Sequence, residues 1–559
     1  MGSLKEKLGR VCGKFFIYIN VPAYKAESHE YKNMIIGAQE CPNVPPPSSF
    51  QIMNKYLAME HKEITEYINS QRKMWKTYGC TIMADGWSGP TRMQVINFMV
   101  YCKGKTVFLK SVNASSDIRE HKYLAKLFKD VIDEVGKENV VQICTDNGSA
   151  FVKAGKTLSE RYNFYWTPCA AHCIDLMFED IGKKTKVSDM ITIARLVTVY
   201  IYNHGWVLAL MRKICNGDLI RPGPTRFATN YISLQSLFQK KAGLKQLFTC
   251  DDWVTSKYSR SKVGRRIEEL VLENMFWDNV QAVISIYEPL YGVLRIVDTE
   301  VNPTMPMLYD LFKKVRTKLE EVRNTVWYSE GIGDDPELLD ALHSVFAKLD
   351  PNSIGIAQFG NEIISFRDSS YGFGRPAAIA ARKAMTSYEW WNMYGGDAPT
   401  LRKLAMKILS QTTSSSACER NWSTFALIHT KQRNRLAHNK LEQIVYCYYN
   451  MKLQLRDAKA AADRVAETSY LDLFNIAADI GAEETADPIY HWVRPLHLDD
   501  VAGNPDPNIA THARGMGIDV DKKVLTELDQ AHKVEAHMAF LIILRPKCRM
   551  LHTMKHHIG

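Results

Sequence analysis

Two aspartates stand where chemistry on a phosphodiester would have to be built. Asp85 lies in Met83-Ala-Asp-Gly-Trp87 and Asp146 in Cys144-Thr-Asp-Asn-Gly148, each directly after a run rich in apolar and β-branched residues. Displacement at phosphorus by the two-metal route needs carboxylates converging from separate elements, because two hard cations about 3.5–4 Å apart are held by oxygen ligands. A single aspartate ahead of glycine or asparagine at a strand end is more often a turn former or a helix cap. The pair carries more weight than either member, since parallel strands deliver their C-terminal ends side by side.

The elements that must position them can be read from the period. Thr81–Trp87, Val95–Cys102 and Thr106–Val112 are rich in β-branched and aromatic residues, with Gly104 between the last two, which predicts three strands and a hairpin. His121–Val135 places Leu124, Leu127, Phe128, Val131, Ile132 and Val135 on one helical face, and Val140–Thr145 reads as a buried strand. A helix from Ser149 follows, then a short strand around Tyr162–Trp166. Next comes a helix opening at Thr167-Pro168, threonine as its cap and proline in its first position. The order is β-β-β-α-β-α-β-α.

Ahead of this block, residues 1–40 read as mixed, Cys41–Pro47 as a stiff proline-rich linker, and the stretch from about Ser49 to Tyr78 as helix. From about Ser188 to Leu409 helical patterns dominate, as in Trp277–Tyr287 and Leu338–Leu349, and strand signals nearly vanish. Beyond Leu453, Asp457–Ala466 keeps helical character, whereas Glu483–Asp521 is acidic and broken by four prolines, the composition of a flexible tail. The expected organisation is therefore an N-terminal segment and linker (1–48), a helix with the first part of an α/β core (49–187), an all-α region (188–409), a block completing the core (410–455) and a largely flexible tail (456–559).

A chain of 559 residues exceeds what one hydrophobic core usually supports, so several domains or one domain with a large insertion is expected. With 46% hydrophobic and 24% charged residues, a packed interior is available and wholesale disorder is excluded. No stretch approaches the roughly 20 apolar residues of a membrane span, and the N-terminus lacks a signal-peptide pattern, so an intracellular protein without a membrane partner is expected. The twelve cysteines are scattered, which fits reduced thiols better than a disulfide framework. A net charge of +10 over this length is a mild bias toward polyanions.

Further motifs carry a family resemblance. Ser414-Ser-Ser-Ala-Cys-Glu-Arg-Asn-Trp-Ser423 resembles the motif in which hAT superfamily transposases place a catalytic glutamate, after a helical insertion has split a nuclease core of the RNase H-like type. The resemblance spans roughly Phe50 to Leu453. It implies an α/β fold with an RNase H-like mixed sheet, flanking helices and a large all-α insertion. It makes Glu419 the third carboxylate beside Asp85 and Asp146, with Mg²⁺ or Mn²⁺ as cofactor if the site is active. Ser416 and Glu419 also have the spacing of a capping box, a purely structural role.

Other residues follow by the same resemblance. Cys169 and His172, in Thr167-Pro-Cys-Ala-Ala-His-Cys173, match a family marker; with Cys173 they fall on one helical face, and packing is favoured there over zinc binding, which needs four ligands. Arg226 resembles an element at the start of the insertion, and Trp390-Trp391 one near its end, where an aromatic ring stacks on a DNA base. Arg433 and Arg435 add a basic edge for DNA. Leu436, Leu441, Ile444, Val445, Tyr448 and Met451 lie in the family's C-terminal dimerisation region, Leu441 to Met451 as an apolar helical stripe that would serve equally as an ordinary core face. The paired cysteines of a BED zinc finger are not found: Cys12 and Cys41 stand alone. The implied protein is a nuclear homodimer that binds DNA and derives from a transposase, domesticated or degenerate; the alternative is an active DDE transposase that cuts and joins DNA.

Overall fold

Side chains that alternate every second residue account for the sheet, and the computed structural model orders it as five strands. These are β1 (Cys80–Ser88), β2 (Gln94–Cys102), β3 (Lys105–Asn113), β4 (Val140–Thr145) and β5 (Tyr165–Pro168), in the spatial order β3-β2-β1-β4-β5. β1–β2 and β2–β3 pair antiparallel, while β1–β4 and β4–β5 pair parallel. The hairpin between β2 and β3 turns on two residues of positive φ, Lys103 at 50° and Gly104 at 77°, the geometry whose twist matches that of the flanking strands. The described residues are 2–19, 21–88, 94–115, 121–220, 228–298, 304–322, 336–349, 356–382, 384–428 and 436–462.

One face of the sheet, carrying Ile82, Ala84, Ile96, Phe98, Val100 and Ile143, packs on the helices His121–Val135 and Ser149–Arg161 through Phe128, Ile132, Ala154 and Leu158. The second helix comes very close. A Cβ built on Gly155 would stand 1.9 Å from Cδ1 of Trp166, whose indole N–H donates to Thr145 Oγ1 at 3.1 Å. Glycine is required there by the approach of the ring.

The other face and the β3 edge are closed by chain from far downstream. The helix His438–Ala462 runs against β3, and its Asn450 side chain pairs with both backbone groups of Phe108, accepting from N–H at 3.1 Å and donating to C=O at 2.9 Å. Glu442 accepts from the Ser111 N–H at 3.0 Å, and Arg456 donates to Gly104 C=O at 3.1 Å. An exposed strand edge is thereby covered by side chains that imitate a neighbouring strand.

Among the described residues every regular element from Thr185 to Ile408 is helical, as the periodicity predicts. The longest, Asn274–Val297, is long and apolar enough by length and composition to cross a membrane, which corrects the expectation that no such stretch exists. In this fold Phe276, Trp277, Val280, Val283, Tyr287 and Leu290 bury its inner face, as in a core helix. The helix expected to open at Thr167-Pro168 starts instead at Ala170, with Cys169 in the cap position. Parallel pairing with β4 extends β5 through Pro168, whose ring leaves it no N–H to lose.

The chain divides into two compact units, Met1–Glu60 and His61–Gly559. The first contains the helices Gly2–Ile19 and His29–Glu40, which the mixed composition of residues 1–40 did not reveal. Ser28 caps the second, accepting from the Tyr31 N–H at 3.3 Å, and Phe16 meets Tyr31 edge-on at 5.1 Å. The predicted 49–78 helix begins with a capping box between Ser48 and Gln51, passes through a π turn at Ile52–Tyr56, and continues as Leu57–Tyr78. Glu483–Asp521 lies outside the described residues.

Gly155→Ala tests the close packing of helix on sheet. The added methyl must displace the Trp166 ring, and overpacking of this kind costs about 1–3 kcal/mol; the urea midpoint is expected to fall, with the slope unchanged.

Candidate functional site

The last parallel register pair of β1 and β4 is Ala84 with Thr145, so Asp85 and Asp146 are the next residues on adjacent strands, which lie about 4.8 Å apart; Asp146 follows the end of β4, whereas Asp85, expected at a strand end, lies inside β1, which stays paired with β2 as far as Ser88. The sequence-predicted pair is thus brought together. Asp85 faces Asn97 across the β1–β2 ladder and is only 8% exposed. Burial raises its carboxyl pKa to about 6; the Trp422 indole N–H, donating to Oδ2, opposes the rise, and the nearby charge of Asp146 adds to it. Asp146 also makes the local turn its sequence context suggested, its Oδ1 accepting from the Gly148 N–H at 2.9 Å.

The third candidate arrives on a helix that a buried polar segment delivers. Ser410 to Ser416 are all buried and lie against the second face of the sheet. Thr81 Oγ1 donates to Gln411 Oε1 at 2.9 Å, Gln142 Nε2 to Thr412 C=O at 3.2 Å, and the Ala170 N–H to Thr413 C=O at 2.9 Å. The helix Ser416–Ile428 begins where this segment ends. Ser416 is already its first helical residue, one position later than a capping box with Glu419 requires. Glu419 is partly buried in the first turn, and Trp422, three residues on, shares its face of the helix. Trp87 stacks on Trp422 at 5.4 Å and 16°, with Phe425 beside both.

Among the described residues no three His, Cys, Asp or Glu side chains close on a common point at metal-ligand range. One Asp85 oxygen accepts from Trp422 and one Asp146 oxygen from Gly148, so each aspartate is held by a hydrogen bond within the fold.

Cys169 ties the two motifs together. It is fully buried; its sulfur accepts from the Ser415 N–H at 3.3 Å and lies 3.4 Å from Ser414 Oγ. Hydrogen bonds from Cys144 first, then Ser414, Ser415 and the His172 backbone, pull its thiol pKa well below the ordinary value against the effect of burial. Cys169 stands at the cap position of the helix, its C=O accepting from the Cys173 N–H one turn on at 2.9 Å. The Cys173 sulfur accepts from Asn147 Nδ2 at 3.4 Å.

Two family models match the chain. One, described as a domain of unknown function (DUF659), covers residues 47–197; the other, the hAT family C-terminal dimerisation region, covers residues 375–451. The chain is an hAT-family transposase-like protein. No curated protein matches it.

Within this hAT-family chain the dimerisation match includes both the buried polar segment and the helix on the β3 edge. The stripe on that helix divides. Leu441 and Val445 are fully buried against the chain's own core, whereas Leu436, Ile444 and Tyr448 are partly exposed and Met451 is 39% exposed. Trp390 and Trp391 are buried in a separate core with Phe366 and Phe373, and Trp390 donates to Ala378 C=O at 2.8 Å; a base could reach these rings only if that core opened. Arg226, Arg433 and Arg435 lie outside the described residues. Trp422 and Trp87 are the contributors to the site that sequence reasoning passed over. Trp87 follows Asp85 by two, the strand period that puts both on one face, and Trp422 follows Glu419 by three.

The raised Asp85 pKa has a signed consequence. The folded state holds its proton above the unfolded value of 3.8, so the ionised carboxylate lowers stability progressively from about pH 4 to pH 6, by roughly 3 kcal/mol in total at neutral pH. Relative to wild type, Asp85→Asn is expected to gain stability as pH rises across that window. Urea unfolding at pH 4 and pH 7 checks it; an equal difference at both would show that Asp85 titrates normally.

Proposed function

We propose that this hAT-family chain is a dimerising, DNA-binding nuclear protein, derived from a transposase and no longer dependent on cutting DNA. The observation that carries the reading is the double use of residues 375–451. They cover the second face and one edge of the chain's own sheet, and they leave Ile444, Tyr448 and Met451 toward the outside of the same helix. Loss of catalysis would leave this arrangement untouched, because Leu441, Val445 and Asn450 act in folding and not at the carboxylates.

The strand order, with three antiparallel strands followed by two parallel ones, supports an RNase H-like core made of 49–187 and 410–455, with 188–409 as an all-α insertion. A second reading, an active transposase using Mg²⁺ or Mn²⁺, is favoured by one observation. Asp85 and Asp146 are neighbours, and Glu419 is one helical turn from the residue that touches Asp85. For that chemistry Trp422 would have to release Asp85, so the resting arrangement supports the first reading.

Sedimentation equilibrium tests the dimer. Wild type is expected to associate, and Tyr448→Asp with Met451→Asp to shift it at least tenfold toward monomer with circular dichroism unchanged; an equally dimeric variant would refute the outward face as the interface. Incubation of wild type, Glu419→Ala and Trp422→Phe with Mn²⁺ and duplex DNA tests the second reading. No cleavage by any of them is expected, and cleavage by wild type that Glu419→Ala abolishes would establish the enzyme.

A further inference from the structure

The helical region carries a concentrated cationic surface remote in sequence from the carboxylates. Lys257, Arg260, Lys262, Arg265 and Arg266 fall within ten positions, in the loop after the helix Asp251–Thr255 and on the first turns of the helix Lys262–Leu272. Three nearby acids have partners other than Lys257, Arg260, Lys262 and Arg265. Glu268 accepts from the Trp253 indole at 3.0 Å, Glu269 pairs with Arg266 at 3.4 Å, and Asp252 lies 3.8 Å from Lys213. Lys257, Arg260, Lys262 and Arg265 are exposed, and among the described residues none has an acidic partner within ion-pair distance. Four exposed cations in so short a stretch favour a polyanion.

The surface is also held in shape. Ser256 Oγ accepts from the Tyr258 and Ser259 N–H groups, Ser261 Oγ donates to Tyr258 C=O, and Ser261 accepts in turn from the Gly264 N–H. A Cβ on Gly264 would stand 2.0 Å from Tyr258 C=O, so glycine lets the loop lie directly on the helix. The cations of the loop are thereby fixed beside those of the helix.

An aromatic platform adjoins them. Trp206, 42% exposed, stacks on Tyr258 at 5.5 Å and 16°, Lys257 lies over the Tyr258 ring at 5.3 Å, and His204 backs the tyrosine edge-on. A large exposed indole pinned beside unpaired cations is the combination that grips a single strand, through phosphates and a stacked base.

We infer that Lys257, Arg260, Lys262 and Arg265, with the Trp206–Tyr258 stack, form a binding surface for a single-stranded segment of DNA. This rests on the DNA-binding reading above and names its place. Anisotropy of a labelled 20-nucleotide single strand, titrated with full-length protein at several salt concentrations, tests it. The Lys257→Ala/Arg260→Ala/Lys262→Ala/Arg265→Ala variant is expected to bind at least tenfold more weakly, with a shallower dependence of log affinity on log salt, by roughly 2–3 units at about 0.7 per lost phosphate contact. Trp206→Ala is expected to lose roughly tenfold with the salt slope unchanged. If wild type binds and the quadruple variant keeps both affinity and slope, this surface is wrong while DNA binding stands. If wild type binds no DNA, the DNA-binding reading falls as well. Equal affinity for a blunt duplex, unaffected by Trp206→Ala, would overturn the single-strand assignment.

Discussion

Everything about the carboxylate site depends on a short run of buried polar backbone. Ser410–Ser416 crosses the second face of the sheet with its side chains out of water, a placement that costs free energy at every unpaired group. The cost is offset by partners drawn from the whole chain: Thr81 on β1, Gln142 on β4, Ala170 after β5, Thr304 before the helix Met305–Val322, and the sulfur of Cys169. Such a network is stable only when nearly complete, because its low dielectric surroundings strengthen each bond made and penalise each one missing. It therefore sets where the helix Ser416–Ile428 begins, and with it where Glu419 and Trp422 can stand.

The two aspartates are brought together by the sheet itself. Sheet register alone places Asp85 beside Asp146, and mutual repulsion with burial favours a proton on Asp85. The Trp422 indole supplies the remaining hydrogen bond and is itself clamped between Trp87 and Phe425. Around this seam Asn97 and Asn421 are buried with both amide atoms unpaired, as is the Ser415 hydroxyl. Their polarity is unspent, on both sides of the contact between helix and sheet.

How much was legible beforehand follows the range of each interaction. The first four strands, the two helices packed beneath them and the all-helical middle were readable from period alone, because each depends on which residues recur at two or at three to four positions; the fifth strand, expected around Tyr162–Trp166, forms at Tyr165–Pro168. The start of the helix after β5 was not, since Pro168 was claimed by pairing with a strand more than twenty residues away. The N-terminal helices were missed because their apolar positions are diluted by glycine and lysine, leaving composition uninformative.

The sequence by itself determined the family resemblance, the order of elements in the α/β block and the candidacy of Asp85 and Asp146, since motif spelling and strand alternation are local properties of the chain, while the adjacency of the two aspartates came with the β1–β4 pairing. Tertiary structure alone decided that Trp422 holds Asp85, that Cys169 anchors the serine motif, that Trp390 and Trp391 are core residues, and that the stripe on the last helix divides between core and surface. Each of those outcomes is a competition between partners far apart in sequence, settled by burial and hydrogen-bond geometry once the sheet and its covering helices are assembled.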